Sequence, residues 1–489
     1  MKKATILMAL VLLLSVCGVG VLAADVFEER DQVVLTEKVI YGDRTKANGL
    51  SVQINSHYRS RLFWNTTLQF NDAADIETDY AFSAQQIYKG REEEYDGINI
   101  NNNVMESVDT LMEEDRPQEG ITVAYRELLD ETGAGEEKSD SILLKDYISH
   151  YPIGFDLDFP NTRLNSTRVD LDLWRELGTV SESEAYIVQK IRDYFKIPVL
   201  ENQYLEIHVS KRTDGSRGSW GGGTSWRGDW YEMYGYSALS DDACYFTFNT
   251  LTNDGKVVDT SELPEGYGIY RLPYHMENTG ESWEDASVID VDQLEMVYPL
   301  TPGIQIAYLS LNAAQTCLYL HTVEGGTYTI TVIDLSTMEP KQMLDVMHFE
   351  DEPSWGISDQ DDFVVIDFYH TMELAVVSKG ENGELTLEYI CPVQPEGVKD
   401  FYSFYSYRTA MDFDGERLVL AQLLDIEFSH EPDYRDRTSC GIQVSVYEKD
   451  GMTFFGEYRS SLDTGEDWTD HAFYVHGISH EPVVATWNR

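Results

Sequence analysis

Short runs of β-branched and aromatic residues, with polar residues alternating between them, dominate the chain from about residue 200 onward. The clearest runs are residues 328–334, 374–377, 385–390, 417–421 and 443–447. Glycine-containing turns such as Asn253-Asp254-Gly255 separate them, because glycine adopts the positive φ that hairpin turns need. One hairpin after another, without alternating long helices, predicts an all-β chain.

A longer repeat is marked by four tryptophans. Each follows a small or acidic residue and precedes an aspartate within four residues; they are Trp226, Trp283, Trp355 and Trp468, separated by 57, 72 and 113 residues. A period of roughly 50–70 residues suits four-stranded propeller blades with loop insertions. The repeat predicts a β-propeller-like body of about seven blades.

Two of these tryptophans lie in closely similar stretches, residues 278–283 (Asn-Thr-Gly-Glu-Ser-Trp) and 463–468 (Asp-Thr-Gly-Glu-Asp-Trp). Both resemble the Asp-box turn, S-x-D-x-G-x-T-W, of sialidase-type and non-enzymatic β-propellers. Asn278 replaces the aspartate in one copy and Asp467 replaces the threonine in the other. The box is structural in that family, so the resemblance implies a fold and no activity.

The first half of the body carries two helical patterns. One begins at Asn103 and ends before Pro117, and the other begins at the capping box Ser181-x-x-Glu184 and ends before Pro198. They are interpreted as short helices inserted between blades. A separate domain over residues 25–200 is the alternative, with a subdivision near residue 200. We also expect residues 33–41 to pair near the strand at residues 482–487, because paired chain ends leave no exposed edge.

The chain begins with a basic Met1-Lys2-Lys3, followed by an uncharged apolar run over residues 4–24. This pattern predicts a signal peptide or an uncleaved N-terminal membrane anchor, with lipidation at Cys17 as a third alternative. Residues 25–489 are then an extracytoplasmic domain, secreted or held at the membrane by the N-terminal segment alone.

The net charge of the chain restricts the classes of molecule that it can bind. The 489 residues include 86 acidic and 36 basic side chains, a formal net charge of −50. Such a chain repels nucleic-acid phosphates and anionic lipid headgroups. Four cysteines of the body, Cys244, Cys317, Cys391 and Cys440, lie 49–74 residues apart in β-patterned runs, and we interpret them as single buried thiols rather than bridges.

No catalytic constellation is visible in the sequence. Residues 270–273 (Tyr-Arg-Leu-Pro) are similar to the arginine motif of sialidases but come too late in the chain for a complete ring, and a salt bridge is the simpler role for Arg271. The Ser-His-Glu-Pro sequence at His430 recurs at His480, and we interpret both copies as repeated turns. Glycosidases need two facing carboxylates, and among 86 acidic residues the sequence selects none; the candidates weighed are Glu94, Asp156, Asp158, Asp170 and Asp172.

We expect no cofactor and no dedicated metal site. Calcium is the one ion with candidate ligands, at the acidic turns of residues 359–362 and 412–415. Neither turn has the ligand spacing of a known calcium loop, so a solvated acidic turn is the preferred interpretation.

The segment from Gly215 to Trp230 is the best binding candidate. It is interpreted as a mobile loop that combines three tryptophans, Trp220, Trp226 and Trp230, with three consecutive glycines. Exposed indole rings stack on sugars or on partner proteins. The sequence therefore favours a non-catalytic cell-envelope protein that binds or scaffolds a surface glycan or envelope protein, with a hydrolase acting on a glycan or other surface polymer as the alternative.

Overall fold

The computed structural model describes most of the chain in segments. These are residues 8, 12–21, 35–58, 62–71, 74–82, 95–102, 120–166, 181–224, 227–278, 285–350, 354–395, 409–423, 439–463 and 483–488. Several predictions fall outside them: the helix from Asn103, both Ser-His-Glu-Pro turns, Glu94, Asp170, Asp172, and the tryptophans of both box-like turns.

The chain divides into two compact units. The first contains residues Met1–Glu93, Pro353–Ser378 and Leu387–Arg489, and the second contains Glu94–Glu352 and Lys379–Thr386. Residue 200 lies inside the second unit, and a domain boundary there stays a prediction.

The first unit holds three sheets. Residues 379–386 of the second of these sheets are assigned to the second unit. The first is β28 (Val483–Trp487), β2 (Leu50–Tyr58), β3 (Leu62–Phe70) and β4 (Ala74–Phe82). The second is β20 (Trp355–Asp359), β21 (Phe363–Phe368), β22 (Glu373–Lys379) and β23 (Leu385–Pro392). The third is β24 (Thr409–Phe413), β25 (Leu418–Leu423), β26 (Ser439–Glu448), β27 (Gly451–Asp463) and β1 (Leu35–Gly42).

The second unit holds four sheets. Two have three strands: β5 (Gly97–Asn102), β7 (Ile153–Phe159) and β8 (Thr162–Asn165); and β6 (Glu137–Leu143), β9 (Tyr204–Lys211) and β10 (Arg217–Thr224). The next has five: β11 (Gly235–Leu239), β12 (Ala243–Phe248), β13 (Gly268–Glu277), β14 (Ala286–Ile289) and β15 (Glu295–Pro299). The last has four: β16 (Gln305–Leu311), β17 (Cys317–Glu324), β18 (Thr327–Asp334) and β19 (Glu339–His348).

The described residues thus form seven sheets of three to five strands. Most sheets consist of consecutive strands, but β5–β10 interleave between two sheets, and β1 and β28 join sheets formed by strands from the other end of the chain. Strands at the sheet centres, such as Phe363–Phe368, are buried along their whole length and, apart from Asp367, apolar, as expected of sheets covered on both faces. This is an all-β, propeller-like architecture with the predicted number of sheets.

Both ends of the chain enter sheets of the first unit, although not as predicted. Residues 33–41 were expected beside residues 482–487. Instead β1 pairs with β27, placing Leu35 opposite Ser460, and β28 pairs with β2, placing Trp487 opposite Leu50. Two β-patterned ends are therefore accommodated in two different sheets, and each covers an otherwise unpaired edge.

Two helices interrupt the strands of the second unit. They are α1 (Ile121–Asp130) and α2 (Glu182–Tyr194), and short 3-10 turns occur at Arg44–Ala47, Leu144–Asp146 and Val291–Gln293. α2 begins at the predicted capping box: the Ser181 hydroxyl accepts the Glu184 backbone N–H, and the Glu184 carboxylate accepts the Ser181 backbone N–H. Val188 and Ile191 bury its apolar face.

Removing the cap tests how much it stabilises α2. Ser181→Ala leaves the Glu184 N–H without its partner and is expected to lower the free energy of unfolding by about 1 kcal/mol. Urea denaturation followed by circular dichroism measures the change. Ser181→Asp restores an acceptor and should match the wild type, so equal losses in both variants would show that the cap is not the cause.

At the N-terminus, residues 12–21 are helical and exposed. Among the described residues, no helix is long and apolar enough to cross a membrane.

Candidate functional site

The glycine-rich stretch predicted to be a loop is largely a strand. Arg217–Thr224 forms β10, which pairs with β9, so that Trp220 lies opposite Val209 and Gly221 opposite His208. A Cβ on Gly221 would come within 2.6 Å of the His208 ring, so glycine lets this ring lie across the neighbouring strand. The loop interpretation is therefore wrong for these residues. Trp226 lies outside the described residues.

Trp230 lies after β10, in a segment over residues 228–234. This segment is hydrogen-bonded to residues 249–253, which follow β12. The chain enters it at Gly228, whose φ of +81° and closeness to the Asn202 carbonyl exclude a side chain; a Cβ there would lie 1.9 Å from that oxygen. Lys256 holds the start of the segment through an ion pair with Asp229 at 2.6 Å, and it also pairs with Asp254 at 2.7 Å.

Three asparagines hold residues 230–234 in place. Asn253 accepts the Trp230 N–H through its side chain at 2.9 Å, and Asn249 accepts the Tyr234 N–H at 2.6 Å. Asn102, at the end of β5, accepts the Met233 N–H at 2.8 Å and donates to the Tyr231 carbonyl at 2.9 Å. These side chains thereby satisfy several backbone polar groups of an irregular segment that has no sheet partner.

Burial alternates along this segment. Tyr231 and Met233 are 2% and 1% exposed, whereas Trp230 is half-buried, Glu232 is exposed and Tyr234 is 52% exposed. Trp230, Glu232 and Tyr234 therefore share the outward side, and we call these three side chains the Trp230 platform. At no more than about 3.3 Å per residue, the Cα atoms of Trp230 and Tyr234 are separated by at most about 13 Å along the chain.

The polar groups of the platform interact. Partial burial, and then the hydrogen bond and charge of Glu232, raise the pKa of Tyr234 to about 12. The phenol therefore stays protonated at neutral pH and can donate, while the carboxylate accepts. Two aromatic rings with a carboxylate between them can stack on and hydrogen-bond a polyhydroxylated ligand.

The sequence identified Trp230 and missed Glu232 and Tyr234. The sequence of residues 230–234, Trp-Tyr-Glu-Met-Tyr, has no alternation of apolar and polar positions that would select an exposed side. That side is set by hydrogen bonds to Asn102, Asn249 and Asn253, which lie elsewhere in the chain.

Other candidate residues have structural roles. Arg271 forms surface ion pairs with Asp242 at 3.2 Å and Glu295 at 3.8 Å, as its simpler interpretation proposed. Asp158 pairs with Arg163 at 2.7 Å. Cys244, Cys317 and Cys391 are buried free thiols, which confirms that prediction for these three.

The acidic turn at residues 412–415 is occupied by internal contacts. The Asp412 carboxylate accepts the Trp487 N–H at 2.6 Å, and the Asp414 carboxylate accepts the N–H groups of Glu416 and Arg417. These carboxylates stabilise the fold, which leaves little capacity for calcium. In the described part of the chain, no group of three or more His, Cys, Asp or Glu side chains is arranged to hold a metal ion.

Comparison with known proteins gives only distant structural likenesses. No model of a protein family and no curated protein matches the chain. A protein from Lactobacillus plantarum aligns with 84% of this chain and 99% of its own at 8% identity and a TM-score of 0.26. The Cps50 (Swd1) β-propeller domain of Myceliophteria thermophila aligns with 52% of this chain and 82% of its own at 10% identity and a TM-score of 0.21. The periplasmic gluconolactonase PpgL of Pseudomonas aeruginosa aligns with 70% and 96% at 8% identity and a TM-score of 0.19.

TM-scores this low support no conclusion about activity. The propeller-like assignment rests on the seven sheets themselves, and membership of the Asp-box family is not shown.

Proposed function

We propose that the chain is an exported, non-catalytic binding protein of the cell envelope that holds a glycan on the Trp230 platform. The observation that carries the proposal is the joint display of Trp230, Glu232 and Tyr234 on one side of a segment fixed by three asparagines. A fixed aromatic platform binds a ligand at low cost in conformational entropy. The basic N-terminus followed by an apolar run supports export.

The net charge of −50 selects among glycans. A polyanionic polymer is repelled, whereas a neutral polysaccharide is not. Two separate aromatic rings on the same side of the segment provide more than one stacking surface, which favours an oligosaccharide over a monosaccharide.

Removing the platform rings should weaken binding. Trp230→Ala and Tyr234→Ala are each expected to raise the dissociation constant for a neutral glucan oligosaccharide at least tenfold, because each loses a stacking surface worth about 1.4 kcal/mol or more. Isothermal titration calorimetry on the full chain measures the constants, and circular dichroism verifies folding.

Tyr186→Ala is the matched control, since Tyr186 is a 46% exposed tyrosine on α2 of the same unit. The control should bind like the wild type. An equal loss in the control, or retention by both platform variants, would exclude the platform as the binding site. Shortening of the oligosaccharide during the titration, detected by chromatography, would instead favour the hydrolase alternative.

A further inference from the structure

The carboxylate of the Trp230 platform differs from the acidic side chains near it in having no cation beside it. Asp229, one residue before the platform, and Asp254, in the adjacent turn, pair with Lys256 at 2.6 Å and 2.7 Å. Glu232 is exposed and forms no ion pair with any residue that the structure describes. The platform therefore carries one negative charge that the described part of the protein does not balance.

The group that interacts with this carboxylate is the phenol of Tyr234, which is neutral. Because the pKa of Tyr234 is raised to about 12, the phenol keeps its proton and can donate a hydrogen bond, but it supplies no positive charge. An ionised carboxylate has two oxygens and accepts several hydrogen bonds. Glu232 therefore retains the capacity to accept a further donor, and a positively charged donor would also balance its charge.

The two aromatic rings of the platform attract the same kind of group. Trp230 and Tyr234 precede and follow Glu232 by two residues and lie on its outward side of the segment. The face of an aromatic ring attracts an ammonium group electrostatically, and tryptophan does so most strongly. Two rings and a carboxylate on one side of a fixed segment are thus suited to an amine.

The charge of the whole chain acts in the same direction. A net charge of −50 raises the local concentration of cations around the protein and speeds their arrival. Salt screens this long-range attraction. The rings and the carboxylate act only at short range, so they determine which cationic ligand is retained.

We propose that the Trp230 platform recognises an amino-sugar glycan, whose unacetylated amine binds Glu232 as an ammonium group while its sugar rings stack on Trp230 and Tyr234. This inference rests on the proposed glycan-binding function and narrows the ligand to glycans that carry free amines. An exposed ion pair and a cation–π contact each contribute modestly, so together they give a preference of about tenfold over the same glycan without the amines.

Isothermal titration calorimetry on the full chain tests the proposal with two tetrasaccharides of one backbone. They are a β-1,4-linked glucosamine tetramer and its fully N-acetylated counterpart. At mildly acidic pH, where the sugar amines are protonated, the wild type is expected to bind the glucosamine tetramer about tenfold more tightly. Glu232→Gln keeps the size and an acceptor oxygen but removes the charge. It should reduce this preference about threefold and leave the dissociation constant of the acetylated tetramer unchanged.

Glu324→Gln is the matched control, because it removes one negative charge from an exposed glutamate at the end of β17 in the same unit. It should retain the full preference. An equal reduction in this variant would assign the preference to net charge and overturn the proposal. A lysine tripeptide that binds the wild type as tightly as the glucosamine tetramer would also overturn it, since the peptide offers amines without sugar rings.

Two outcomes separate this inference from the glycan-binding function on which it rests. Equal dissociation constants for the two tetramers, with both weakened by Trp230→Ala, would overturn the amine preference and leave glycan binding in place. If the wild type binds neither tetramer and no neutral glucan oligosaccharide, both the inference and the proposed function are overturned.

Discussion

Replacing Trp487 by alanine is expected to lower the free energy of unfolding of the first unit by about 3–5 kcal/mol, the range for removing a large buried aromatic side chain. Trp487 is 5% exposed and lies in β28. Its backbone N–H donates to the Asp412 carboxylate at 2.6 Å and its indole N–H to the Asp412 carbonyl at 3.2 Å. The Arg417 guanidinium lies 3.9 Å from the ring centroid.

Part of this loss comes from contacts other than the packing of the indole ring. Arg417 also donates to the carbonyls of Lys46 and Asn48, so that its cation–π contact with Trp487 joins β28 to the chain before β2. Hydrogen exchange of the β2 backbone measures the effect locally, since β28 pairs with β2.

Thr486→Ala is the control for this prediction. Thr486 precedes Trp487 in the same strand and is exposed. It should change the free energy of unfolding by less than about 0.5 kcal/mol. Similar exchange rates in the two variants would show that the Trp487 side chain does not hold β28 in place.

A second large effect is expected from acid. His321 of β17 is fully buried; one ring nitrogen, Nδ1, lies 3.0 Å from the Tyr328 hydroxyl, and the other, Nε2, has no hydrogen-bond partner among the described residues. Burial, and secondarily the charge of Lys379, lower the pKa of His321 to about 3 from the ordinary value of 6.5. The folded state therefore keeps this imidazole neutral.

The direction of the pH dependence follows from proton binding. Between pH 6.5 and pH 3 the unfolded chain binds a proton at His321 that the folded chain does not, so the folded state loses stability as the pH falls. The loss approaches about 1.4 kcal/mol per pH unit and sums to on the order of 5 kcal/mol at pH 3. Above pH 6.5 the contribution of His321 is fully present.

A comparison of variants separates the contribution of His321 to the pH dependence of stability from that of the carboxyl groups. Urea unfolding at several pH values between 4 and 7 should give a shallower dependence for His321→Phe than for the wild type. His348→Phe, at an exposed histidine of β19, should leave the slope unchanged. Equal slopes in all three proteins would show that His321 takes up a proton in the folded state.

Local patterns in the sequence predicted the local structure well. The capping box at Ser181 predicts a helix, and α2 begins there. The alternating run at residues 328–334 predicts a strand, and β18 spans Thr327–Asp334. In both cases the signal lies within a few residues, so no distant partner is needed to interpret it.

Long-range pairing could not be predicted in the same way. The two chain ends both have β patterns, and nothing in either run selects β27 for one and β2 for the other. The exposure of Tyr234 similarly depends on an asparagine of a later hairpin. The burial of Asp367 is different, because an acidic residue inside the otherwise apolar run at residues 363–368 is itself a local signal of a buried carboxyl group.

The position of β28 in the sheet of β2 has a consequence for biosynthesis. The chain is made from its N-terminus, so β2, β3 and β4 leave the ribosome more than 400 residues before the strand that completes their sheet. Until then the edge of β2 offers unpaired N–H and C=O groups to any neighbouring chain. A transcript that ends before codon 483 should therefore yield a product that aggregates or is degraded, even though it encodes all the other described strands.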